Sequence, residues 1–426
     1  MAIKTQATSL IDYAPVTYII LVVVFGLLSR LGLTFSYFYI CALAVSAAFI
    51  VWTFAQNRVV ATTIYSFPLL FVSLFTALYV LLFYLATIGD SLIEGVWSPS
   101  SLLVYLGALL IQIVLPFVSP KGISMGFRAI SGLSGILIFE SIIFFLIPEY
   151  RFLVSDLESG FRFSSLFLNS YLMTGVLLIF SCLYMLQNLR SYAAKLLCLV
   201  LFSIAIIQTE DRSILLCFTL ALTYFGIVRF FRVSSILQKA VITFTLPALV
   251  VVMVMLSEVF LDRADVFSIK STLSRLLLGV RAFELVAWGW PYGAGPGSQV
   301  RLIFNDQVPT NIMLYDFSSI GVDLASKMLT EQRQFMAYFS ERRNISTHNT
   351  YLDHFVSLGF WGVLVSVAFL IVQVHSFFVG FSRKSVNTFA FALVFSTIIL
   401  FLFTSFINTI WLFSMAYMVS RSNEAV

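Results

Sequence analysis

The stretch "LLCLVLFSIAIIQTEDRSILLCFTLALTYFGIV", residues 196–228, decides how this chain folds. Two apolar runs, 196–208 and 213–228, meet at Thr209, Glu210, Asp211 and Arg212. Each run reads as a membrane-crossing helix, the first of them short. The charged residues between them form a tight corner at one membrane face. Such a cluster is costly there unless its charges pair or bind something.

The whole chain is built in the same way. Of its 426 residues, 60% are hydrophobic and 11% charged. No soluble domain of ordinary size buries that much apolar surface. Working outward from the opening stretch, about twelve spans follow by length and composition. They lie near 14–29, 31–54, 59–87, 101–118, 129–147, 165–186, 196–208, 213–228, 240–257, 353–379, 388–403 and 407–420. The last two also read as one broken helix. The expected fold is an all-α polytopic membrane protein: a bundle of about nine helices in 1–257, one long loop with amphipathic helices in 258–352, and C-terminal spans in 353–426.

Basic residues orient the spans. One set of alternating loops carries Lys4, Arg58, Lys121, Arg128, Arg190, Lys195, Arg229, Arg232, Lys239, Arg383, Lys384 and Arg421, against only Asp12 and Glu424. That set is expected to be cytoplasmic, with both termini. The other side holds Arg30, Arg151, Arg162, Arg212 and the charges of the long loop. The net charge of +5 is mostly this topological signal and does not argue for nucleic acid. Residues 1–13 are polar and run into a long span with no small-residue cleavage site, so they read as leading into an anchor. Cys41, Cys182, Cys198 and Cys217 fall inside apolar spans and read as small packing residues. There is no CxxC, HExxH or Walker loop, which argues against structural zinc, zincin chemistry and ATP hydrolysis.

The long external loop is not low in complexity. "SIKSTLSRLLLGVRAFELVAWGW", 268–290, reads as an amphipathic helix at the membrane surface. On it Arg275 and Arg281 lie about 120° apart and can flank an anion, or simply snorkel toward headgroups. "PYGAGPGSQ", 291–299, is a turn cluster in which Gly293 and Gly295 would let backbone amides approach an anion. "STHNTYLDHFVSLGFWG", 346–362, closes the loop and begins a span. Its Ser, Thr and Asn residues can cap that helix, yet His348, beside Asn349, is well placed for proton transfer at neutral pH. His354 lies six residues on, off the face of His348, and reads as packing or hydrogen bonding. Glu140 stands alone as a carboxylate well inside a span: a functional candidate, or a partner to a neighbouring helix.

Four of these segments, in this order around one long external loop, make the chain resemble the superfamily of bacterial O-antigen ligases and O-antigen polymerases. "TEDRSILLCFTLAL" is similar to that family's mid-chain arginine motif. "SRLLLGVRAFELV" is similar to its arginine-led amphipathic helix, "WPYGAGPGS" to its glycine-rich turn, and "STHNTYLDHFVSLGFWG" to its histidine segment. The likeness covers roughly residues 196–380. This chain has Asp211 where the family commonly has Ser, and Gly279 where a tryptophan is usual near the loop arginine.

The resemblance implies a GT-C-like glycosyltransferase of the bacterial inner membrane, acting at the periplasmic face on a glycan linked to undecaprenyl diphosphate. Arg212 and a loop arginine, Arg281 or Arg275, would stabilise the diphosphate leaving group, with Asp211, Gly293, Gly295 and Asn349 around the substrate. His348 would position or deprotonate the acceptor hydroxyl. Diphosphate is a good leaving group, so neither metal nor other cofactor is expected. The expected partners are the lipid-linked glycan, membrane lipids and a chain-length regulator protein, with no nucleic acid. A second repeat unit as acceptor makes the enzyme a polymerase; the lipid A core makes it a ligase. A transporter or flippase would be expected to show internal repeats and midplane charges; here no repeat is seen and the charges crowd into the external loops.

Overall fold

The computed structural model describes residues 9–32, 36–55, 67–87, 99–156, 162–168 and 170–230, together with 354–355, 358–364, 367 and 371. After a single 3₁₀ turn (Leu10–Tyr13) come helices α1 (Ala14–Arg30), α2 (Ser36–Ala55), α3 (Phe67–Thr87), α4 (Pro99–Val114), α5 (Pro120–Leu146) and α6 (Pro148–Val154). Two short strands follow, β1 (Ser155–Asp156) and β2 (Arg162–Phe163), paired antiparallel with Ser155 opposite Phe163. Helices α7 (Tyr171–Asn188), α8 (Tyr192–Gln208) and α9 (Arg212–Phe230) complete the described bundle.

Short oxygen-bearing side chains start several of these helices. The Ser119 hydroxyl accepts from the Gly122 amide at 3.3 Å, that of Ser170 from Met173 at 3.2 Å and that of Ser191 from Ala194 at 3.5 Å. Each meets one of the amide donors that a helix leaves unpaired in its first turn. These caps set the boundaries where hydropathy alone does not. Helix α5 therefore starts at Pro120 and includes Arg128, which the apolar pattern leaves in a loop before 129. Helix α8 starts four residues before the apolar run at 196, and α7 begins only at Tyr171 rather than at 165.

Helix α7 is the centre of the bundle, with every residue from Met173 to Tyr184 buried. Helix α5 packs on α1, α7 and α8, α2 lies between α1 and α4, and α9 packs on α7 and α8. The outer flanks are apolar too. Leu74, Leu78, Leu81 and Leu85 of α3 are exposed, as are Phe139, Ile142 and Phe145 of α5 and Leu197, Val200, Ile204 and Ile207 of α8. Contiguous exposed stripes of this kind suit a hydrocarbon surrounding and would be a liability in water. Among the described residues, the helices Leu10–Arg30, Lys121–Leu146 and Tyr171–Asn188 are long and apolar enough to cross a membrane.

Sparse polar ties cross between the helices. The Tyr18 and Ser46 hydroxyls are 2.8 Å apart, the Ser73 hydroxyl donates to Gln112 Oε1 at 3.1 Å, and that of Ser141 donates to Gln208 Oε1 at 2.7 Å. Each contributes about 0.6 kcal/mol in a bilayer, so packing of small residues matters more. A Cβ added to Gly107 of α4 would lie 2.6 Å from the Tyr39 carbonyl oxygen of α2. That neighbour is backbone and cannot swing aside. Gly107→Val is therefore expected to destabilise the bundle by about 1–3 kcal/mol, seen as a lower unfolding temperature in detergent. An unchanged midpoint would mean that α2 and α4 are not held at this separation.

The described members of the two charge sets lie at opposite ends of the bundle. At one end Asp12 Oδ1 accepts from the Ser119 amide at 2.9 Å, and Phe127 stacks on Tyr184 at 5.7 Å. Lys121, Arg190 and Lys195 sit in the turns and helix starts of that end, with Arg128 two turns into α5. Arg30, Arg151, Arg162 and Arg212 sit at the other end. Among the described residues, the alternation of charged loops along the sequence thus becomes a separation of charge between two ends.

The expected spans at 240–257, 388–403 and 407–420, and the long loop 258–352, lie outside the described residues. Of the span at 353–379, the described residues are helical, and the Trp361 ring stacks on Tyr79 of α3 at 5.2 Å.

Candidate functional site

The corner between α8 and α9 is three residues long. Thr209 is fully buried, and its hydroxyl donates to the Ile206 carbonyl at 2.7 Å, closing the last turn of α8. Glu210 takes a left-handed backbone, with φ 49°, and its amide donates to the Ile207 carbonyl at 3.0 Å. A non-glycine residue in this region is uncommon, and such strain gathers at functional corners. Asp211 then caps α9: its Oδ1 accepts from the Ile214 amide at 2.9 Å. Arg212 is the first residue of α9. A cation in the first turn opposes the helix dipole, so helix stability does not explain an arginine there.

Behind the corner lies a polar cluster that holds this end of the bundle together. Glu140 of α5 is only 4% exposed. Its Oε1 accepts from the Tyr150 hydroxyl of α6 at 3.0 Å and from the Leu166 amide at 3.1 Å, while its Oε2 accepts a short hydrogen bond from the Ser165 hydroxyl. Ser165 is also left-handed, with φ 37°. The Arg30 guanidinium reaches the same loop, donating to the Ser164 hydroxyl at 2.7 Å and to the Ser165 carbonyl at 3.4 Å. Gly26 lets the loop lie directly on α1, because a Cβ there would collide with the Phe167 carbonyl. Tyr150 stays protonated well above the ordinary range for a tyrosine. Burial is the main cause and the Glu140 carboxylate adds to it, with Arg30 opposing. The hydroxyl therefore remains a donor to Glu140.

The other described arginines of this end are committed to the scaffold. Arg151 donates from Nε to the Phe144 carbonyl at 3.0 Å and from a terminal nitrogen to that of Phe145 at 3.3 Å, closing the C-terminus of α5. Arg162 lies over the Tyr171 ring, 5.1 Å from its centroid. Glu140, a candidate by its depth in a span, proves to be a structural anchor whose oxygens are all engaged.

Of the residues singled out from sequence, Asp211 and Arg212 come together at the corner. His348, Asn349, Arg275, Arg281, Gly293 and Gly295 lie outside the described residues. His354 is buried at 2% exposure, in keeping with packing. The two glycines after it have local reasons: Gly359 has φ 59°, and Gly362 presses against the His354 backbone, where a Cβ would collide with the carbonyl. Cys182, Cys198 and Cys217 are buried free thiols, and Cys41 is a partly buried one. Among the described residues no three His, Cys, Asp or Glu side chains gather to hold a metal ion.

The Glu140–Ser165–Arg30 cluster and the Ser141–Gln208 tie were not read from the sequence. Their partners lie far apart along the chain. The hints were the depth of Glu140 in an apolar run and a pair of serines in the largely apolar stretch "FRFSSLFLN" (161–169). No protein-family model matches the chain, and neither does any curated protein.

Proposed function

We propose that the chain is a polysaccharide polymerase of the bacterial inner membrane. It joins oligosaccharide repeat units carried on undecaprenyl diphosphate, at the periplasmic face. On this reading the expected spans and the expected loop 258–352 together supply the residues of the site. Arg212 and one loop arginine, Arg281 or Arg275, hold the diphosphate and neutralise charge that grows as the glycosidic bond breaks. His348 takes the proton from the acceptor hydroxyl as that oxygen attacks the anomeric carbon. A single displacement of this kind inverts the anomeric configuration.

The observation that carries this reading is the rigid corner presenting Arg212. It stands at the start of α9 against the helix dipole, at the end of the bundle where Arg30, Arg151 and Arg162 are already engaged. An arginine at a helix start, next to the amide donors of the first turn, is of a residue type that suits a phosphate group. Asp211 fits the resemblance as well, since Asp and Ser cap a helix equally well. The test is reconstitution of the full chain with lipid-linked repeat unit alone. A ladder of lengthening glycans is expected. Transfer only when lipid A core is added would make the enzyme a ligase, and no transfer to either acceptor would overturn the reading.

A further inference from the structure

We infer that Ser141 and Gln208 are positioning residues for Arg212: their hydrogen bond clamps the end of α8 to α5 and fixes the backbone that presents Arg212 to a diphosphate-bearing lipid. The inference rests on the role proposed for Arg212 and adds how that role is maintained.

Ser141 is 1% exposed, and its hydroxyl donates to Gln208 Oε1 at 2.7 Å. Gln208 is the last residue of α8. Between it and Arg212 there is little slack. The Thr209 side chain is tied to Ile206, the Glu210 amide to Ile207, and the Asp211 carboxylate to Ile214. A shift of Gln208 is therefore passed to the start of α9 rather than absorbed in a loose loop.

The other end of the clamp is equally firm. Ser141 follows Glu140 directly, and neighbouring helical residues point about 100° apart. Glu140 is held by Tyr150, Ser165 and Leu166, and Ser165 in turn by Arg30. Helix α5 thus anchors the loop 164–168 on one side and α8 on the other. A hydroxyl–amide tie adds little to helix association in a bilayer, where an apolar pair would pack as well. Its directional geometry is what an apolar pair cannot supply.

The test measures binding of undecaprenyl diphosphate, without sugar, to the full chain in nanodiscs. Wild type is expected to bind and Arg212→Ala to lose binding. Ser141→Ala and Gln208→Leu are each expected to weaken binding about tenfold while keeping the thermal midpoint, since misplacement of a contact group by about 1 Å has effects of this order or more. Ser141→Thr, which keeps the hydroxyl, is expected to restore affinity. The double variant is expected to be no weaker than either single one, because both remove one bond. Wild-type affinity in Ser141→Ala and Gln208→Leu, with binding lost in Arg212→Ala, would overturn the clamp alone. A fall in affinity that tracks a fall in thermal midpoint would overturn it too. Undiminished binding by Arg212→Ala would instead overturn the role of Arg212.

Discussion

An Arg212→Ala variant is expected to make no long-chain polysaccharide while remaining inserted, folded and abundant. The expected loss is about a hundredfold to a thousandfold in turnover, the usual effect of deleting one donor that meets developing negative charge. Folding should not suffer. Asp211 still caps α9 through the Ile214 amide. Alanine is a better helix former than arginine, and removing a cation from the first turn relieves a clash with the dipole. The thermal midpoint should hold or rise slightly, which separates this variant from a merely misfolded one. Arg212→Lys should recover part of the activity, because lysine keeps the charge but loses the bidentate fork. His348→Ala should be equally inactive if it takes the acceptor proton. The checks are the glycan ladder of the cells and of the reconstituted protein. Polysaccharide of normal length and amount from Arg212→Ala would dismiss the enzyme reading.

Glu140→Ala should have the largest effect on stability. It removes the acceptor for three donors: the Tyr150 hydroxyl, the Ser165 hydroxyl and the Leu166 amide. Leaving such groups unpaired in a buried place costs about 3–5 kcal/mol in all. The loop also loses what holds Ser165 in its left-handed conformation. Glu140→Gln should recover part of the loss, since an amide oxygen still accepts at the Oε1 position. The amide nitrogen, however, cannot accept from Ser165. Thermal unfolding in detergent should rank wild type above Gln and Gln above Ala. An alanine variant as stable as wild type would mean the cluster is not what secures this end of the bundle.

The apolar, helical character of the fold and the approximate places of α1–α5 and α7–α9 were legible in the sequence, because hydropathy is a property of each stretch by itself; among the described residues three of these helices are long and apolar enough to cross a membrane. Helix boundaries were less so. Ser119 and Ser191 extend α5 and α8 past the edge of their apolar runs by capping, a polar act inside a polar stretch. The loop at 164–168 was hidden for the opposite reason. Its residues look like the beginning of a span, and only contact with Glu140, Arg30 and Gly26 makes them a turn. The pair β1–β2 and helix α6 were too short to leave a periodic trace. For the site, charge density marked the Thr209–Arg212 stretch, and the structure has the turn between α8 and α9 there. It could not tell a scaffold arginine such as Arg30 or Arg151 from one held for a ligand, because that distinction lies in partners distant in sequence.

The identity of residue 211 leaves room for evolutionary tuning. Its backbone task can be met by any short side chain with an oxygen in reach of the Ile214 amide, so aspartate, asparagine, serine and threonine are interchangeable for folding. They are not interchangeable electrically. Aspartate sets a negative charge next to Arg212, and a neutral capping residue would remove it without moving the helix. Lineages could thus adjust the charge of this corner, one substitution at a time, with the architecture unchanged.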